Sequence, residues 1–94
     1  MLKNTKKTKT YVGYLSYDSE SGRYVLMNQD SSSVKPTRLL DGFRCGEGME
    51  MLLPDGTWME TAIEMSWDQK WYLVDTGRKG NLENIIVRVT YYCY

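Results

Sequence analysis

The chain changes character about every ten residues: a short run rich in β-branched and aromatic residues gives way to a cluster of turn formers, and another run begins. Tyr11, Tyr14, Leu15 and Tyr17 precede Asp18-Ser19-Glu20-Ser21-Gly22, and Arg23 to Met27 resume the β pattern, which predicts a hairpin. Gly13 inside the first run predicts a bulge or a close backbone approach. Residues 28–37 are polar, carry Pro36 and read as a long surface loop. Gly42 to Gly48 form a glycine-shaped corner with Phe43 entering the core. No Gly-Lys-Ser/Thr follows it, so it is not a phosphate loop. Met49 to Leu53 and the turn Pro54-Asp55-Gly56 lead into Thr57–Trp67, the clearest alternation in the chain. There Met59, Thr61, Ile63, Met65 and Trp67 share a face predicted to be buried. Trp58 lies opposite. At about 3.3 Å per residue that strand would be roughly 36 Å long, against a radius of gyration of about 12 Å expected for the chain, so it must bend. Asp68-Gln69 turns the chain, Lys70 to Val74 return, and residues 76–81 form a loop. In the last strand Ile85, Val87 and Val89 share one face while Arg88 points away.

Strands are thus predicted near 11–17, 23–28, 49–53, 57–67, 70–75 and 84–92. The fold class is all-β: a small meander of five to six antiparallel strands forming an SH3-like barrel or rolled sheet. Residues 1–10 read as a basic N-terminal arm and residues 11–94 as a single all-β domain, in keeping with a length of 94 residues.

Composition narrows the chemistry. The chain has no His, which excludes His-based acid–base catalysis, His-dependent triads and His-ligated metal. Two cysteines, Cys45 and Cys93, cannot build a four-cysteine zinc site. Glu60 and Glu64 share a face, but four positions along a strand separate them by about 13 Å, too far for a glycosidase pair. Cys45 beside Arg44 could be an activated thiol, yet with no His as base an ordinary structural cysteine is favoured. The expectation is a non-enzyme with no catalytic residue, metal or cofactor.

Twelve Lys and Arg balance twelve Asp and Glu, but Lys3, Lys6, Lys7 and Lys9 fall in a first segment with no acid. This arm is either a solvated tail or a phosphate-contacting element that would add salt-sensitive, sequence-independent affinity. No apolar core follows the basic start, and no run nears the roughly 20 residues that span a bilayer, so a cytoplasmic protein with reduced thiols is expected. A Cys45–Cys93 disulfide is geometrically possible but disfavoured in a reducing compartment.

Gly22-Arg23-Tyr24, Phe43-Arg44-Cys45-Gly46-Glu47, Asp55-Gly56-Thr57-Trp58 with Thr61 and Ile63-Glu64, Trp71-Tyr72-Leu73-Val74, and Leu82 with Val87-Arg88 resemble a family of small proteins of unknown function. That family occurs in Gram-positive bacteria, largely on plasmids, integrative elements and phages. The resemblance implies no activity and no functional residue. It implies a context, that of accessory proteins of mobile elements, a class that includes inhibitors of host defence such as anti-CRISPR proteins.

Three Trp and eight Tyr exceed what one small core encloses. They either cover the ends and faces of the barrel or form a contact surface, since Trp, Tyr, Met and Arg are enriched in the cores of interfaces. Trp58, Tyr72, Tyr24, Arg44, Arg78 and Lys79 are the candidate partner-binding residues. The expected function is a non-catalytic binding protein that occupies a host or phage macromolecule, a protein before a nucleic acid. The alternative is a nucleic-acid-binding barrel that stacks bases on its rings beside Lys70, Arg78 and Lys79. Neutral net charge and the acids Glu47, Glu50, Glu60 and Glu64 count against it. The apolar terminal strand would permit a homodimer if it lay at an edge, whereas barrel closure against the first hairpin favours a monomer.

Overall fold

Turn chemistry decides where each strand stops. In the computed structural model, which describes residues 7–28 and 36–93, Ser21 and the Glu20 amide bond to Asp18 and end the first strand. Asp55 accepts from both the amide and the hydroxyl of Thr57, and Gly56 takes φ +88°, so the chain reverses there. The elements between such turns are β1 (Lys7–Asp18), β2 (Arg23–Asn28), β3 (Arg38–Leu40), β4 (Glu47–Leu52), β5 (Trp58–Met65), β6 (Trp71–Leu73), β7 (Arg78–Lys79) and β8 (Ile86–Cys93). No helix occurs among the described residues.

All eight belong to one antiparallel sheet in the order β3-β2-β1-β8-β4-β5-β6-β7. It is curled but open: β3 and β7 are its two edges. The curl is held across the concave side, where the Trp71 indole N–H on β6 donates to the Gly22 carbonyl between β1 and β2 at 2.9 Å. The loop between β3 and β4 crosses the same side, with the Phe43 amide donating to the Tyr24 carbonyl and the Phe43 ring fully buried. Leu15, Leu26, Ile63, Leu73, Leu82 and Val87 complete the centre of the core. Gly13 is where β1 passes closest to β2: a Cβ there would lie 2.1 Å from the Met27 carbonyl oxygen. The close approach expected from the sequence is present.

Several expectations are corrected. The described residues hold eight strands rather than five or six, β3 and β7 being the additional ones. Of the two expected forms the sheet takes the rolled one, a curled half-barrel, and not the closed barrel. The open form is larger than expected, with a radius of gyration of 14.5 Å. β5 ends at Met65, not Trp67. Ser66 begins the turn, its amide donating to the Lys70 carbonyl and its hydroxyl bonding Asp68, so the alternation that placed Trp67 inside stops two residues earlier. Trp67 is 94% exposed. β1 begins at Lys7, inside the segment expected to be an arm, and pairs there with Cys93. Lys3, Lys6 and most of the 28–37 loop lie outside the described residues, as do the side chains of Lys7 and Cys93. β8 lies between β1 and β4, so its first half is no free edge.

Candidate interaction surface

The Ser66–Lys70 turn and the start of β2 come together at one end of the curled sheet because the Trp71–Gly22 bond draws them in. Met65, half out of the core at the end of β5, is the wall shared by three surface hollows there. The first, of about 690 Å³, is bounded by Tyr17, Tyr24, Lys70 and Trp71. The second, of about 310 Å³, lies between Trp67, Tyr72 and Lys79. The third, of about 540 Å³, has Arg23, Arg44, Cys45 and Trp71 around it. Three of the exposed large apolar residues, Tyr17, Met65 and Trp67, are on this surface.

The sequence-derived candidates divide. Tyr72 and Lys79 face each other as a cross-strand pair of β6 and β7, and Arg44 lies on the neighbouring loop, so these three meet around Met65. Tyr24 is corrected: it is buried, its hydroxyl accepts the Leu82 amide at 3.0 Å, and its ring meets Tyr17 edge-on, so it is the floor of the surface and not a contact. Arg78, next to Lys79 on a strand, turns away and lines a separate hollow with Leu53, Pro54 and Glu83. Trp58 is on the outer face of the sheet beneath the Arg88 guanidinium, 4.4 Å from its ring centroid. Arg88 also makes a two-pronged ion pair with Glu50, both bonds 2.9 Å, which holds the Glu50 carboxyl below its ordinary range. Of the arm lysines, Lys9 sits 5.4 Å above the Tyr11 ring.

Tyr17, Met65 and Trp67 escaped the reading by alternation. Trp67 could have been found from Ser66-Trp67-Asp68-Gln69, a polar turn sequence that contains a Trp, since a ring in a hairpin turn has no sheet to cover it.

Electrostatics sets this surface apart. No carboxylate lines the three hollows, whereas Arg23, Arg44, Lys70 and Lys79 do. Acids stand at the border: the Glu47 carboxylate accepts the Arg44 amide at 2.9 Å, and Glu64 pairs across strands with Tyr72. Asp68, bonded to Ser66, lies 3.5 Å from Lys79; the Ser66 hydroxyl foremost, with Lys79, keeps its carboxyl below the ordinary value. Elsewhere, the groove between β4 and β8 is acidic, with Glu47, Glu50 and Glu60. No group of three or more potential metal ligands occurs among the described residues.

A family model for a domain of unknown function, DUF5348, matches residues 13–89. The chain belongs to the DUF5348 family. The matched span of the DUF5348 domain includes every residue of the Met65-centred surface. No curated protein and no solved structure matches the chain. No helix of the described residues is long and apolar enough to cross a membrane.

Proposed function

We propose that this DUF5348 domain is a non-catalytic binding module that acts by occupying a protein partner through the surface around Met65. The observation that carries this reading is Trp67, 94% exposed at the apex of a tight turn with Met65, Tyr72 and Lys79 beside it. A fully exposed indole on a short, hydrogen-bonded turn is a preorganised anchor, and Trp is among the residues enriched in the few contacts that dominate an interface. The partner we favour is a host protein met by a mobile element, in the specific form a defence nuclease such as a CRISPR effector. That part rests on the family resemblance.

Capture from lysate of a Gram-positive host tests this reading. The wild-type domain should retain a discrete protein after nuclease treatment, and Trp67→Ala should weaken retention by at least about tenfold without changing the fold. Retention of nucleic acid alone, lost on nuclease treatment, would support the nucleic-acid alternative instead. That alternative has less support in the rings of this surface: Tyr24 and Trp71 are 4% and 8% exposed, and the accessible rings, Tyr17 on one side and Trp67 with Tyr72 on the other, lie in different hollows.

A further inference from the structure

The charges of the domain cancel in sum but are sorted in space. Glu47, Glu50 and Glu60 flank the groove beside β8, where Arg88 answers only Glu50. Around Met65 the lining is reversed: Arg23, Arg44, Lys70 and Lys79 line the hollows, and the acids bordering them include Glu47, whose carboxylate accepts the Arg44 amide, and Asp68, which meets Lys79. Lys79 is partly answered by Asp68, while no ion pair is found within 4.0 Å for the other three among the described residues.

Resting on the reading of this surface as the contact surface, we propose that its occupant is an acidic protein segment bearing a bulky apolar side chain. The apolar side chain would pack against Trp67 and Met65, and carboxylates on either side would meet Lys70 and Lys79 in one direction and Arg44 and Arg23 in the other. A basic segment would bring like charges together along the whole rim, which electrostatic complementarity disfavours. The apolar anchor takes most of the affinity, and the cations set encounter rate and partner choice. Nucleic acid would satisfy the cations but not the pair Trp67 and Met65, because Met65 has no ring face to stack on a base.

Fluorescence polarisation with three labelled probes tests the proposal: a twelve-residue peptide of Asp, Glu, Leu and Phe, the same peptide with Lys in place of the acids, and a twelve-nucleotide oligothymidylate. The acidic peptide should bind best, more weakly as salt rises. Trp67→Ala, and separately the double change Arg44→Glu with Lys70→Glu, should each weaken it about tenfold or more, and Glu60→Gln should leave it unchanged. All are exposed positions, so folding is expected to survive, and circular dichroism checks that it does. Equal binding of the lysine peptide, preference for the oligonucleotide, or no binding of the acidic peptide would overturn the proposal. The two readings separate in the lysate capture. Loss of the partner with Trp67→Ala but not with charge reversal refutes the acidic segment and keeps the surface; indifference to Trp67→Ala refutes the surface.

Discussion

Gly13 has no room for a side chain: a Cβ would sit 2.1 Å from a backbone oxygen of Met27 and 3.2 Å from Leu26 Cγ. Backbone on the neighbouring strand cannot give way without breaking the β1–β2 ladder at Gly13↔Asn28. Gly13→Ala should therefore destabilise the fold by about 1–3 kcal/mol, read as a lower urea midpoint with unchanged slope. Trp71 is the other residue on which shape depends. Trp71→Phe keeps a ring in the core but leaves the buried-side Gly22 carbonyl without its donor, a loss of about 1–2 kcal/mol. Phe43→Ala, which empties a fully buried site, should cost about 3–5 kcal/mol. Gly13 and Phe43 were legible from the sequence, one as a glycine inside a strand pattern and the other as a lone Phe between glycines. Trp71 was readable as apolar, but its bond to Gly22 joins residues 49 apart and no local pattern announces it. Trp67 was misread because alternation was carried through Ser66, where side-chain hydrogen bonds had already ended the strand.

Among the elements, β8 joins two unequal seams. It pairs β1 at eight positions, from Ile86 to Cys93, and β4 at only two, Glu50↔Arg88 and Met51↔Val87. The Glu50–Arg88 ion pair, stacked on Trp58, thus fastens the narrowest part of the sheet. Arg88→Ala should lower the melting temperature at neutral pH, and the gap to wild type should close in acid. The hydrogen bonds from Arg88, then its charge, lower the Glu50 pKa below the ordinary 4.5. A carboxyl depressed in the folded state stabilises above its unfolded value, and that stabilisation fades as pH falls through the folded value. The difference between wild type and variant should therefore be full above about pH 5 and shrink below about pH 4.5. The long strands were visible in the sequence because each carries several alternating residues between turn formers. β3 and β7, of three and two residues, are too short to show a period and exist because neighbours supply their hydrogen bonds. The same holds for the open edges: alternation marks faces, but only the pairing of β8 with both β1 and β4 decides which strands are left outermost.

At the scale of the whole molecule, the absence of His removes the one side chain that ordinarily titrates between pH 5 and 8, so thermal stability should be nearly flat from about pH 6 to 8. Acid should then destabilise in sequence, first below about pH 4.5 through Glu50 and further below about pH 3.8, because Asp18, Asp55 and Asp68 are also held below their ordinary 3.8, each chiefly by a neighbouring hydroxyl. Tyr91 acts at the other end: burial first, then the Glu47 charge, raises its phenol above 10.0, so its contribution is lost as pH rises beyond that value. With the first half of β8 paired on both sides, we expect sedimentation at two concentrations to give the mass of one chain, 11.0 kDa. The measurement that bears most directly on the surface around Met65 is backbone amide NMR of the labelled domain titrated with its captured partner. Shifts and line broadening should concentrate at Tyr17, at Met65 through Tyr72 and at Lys79, with Arg44 at the margin. Perturbations confined to Glu47–Glu60 and the second half of β8, with the Ser66–Lys70 turn unmoved, would contradict that placement.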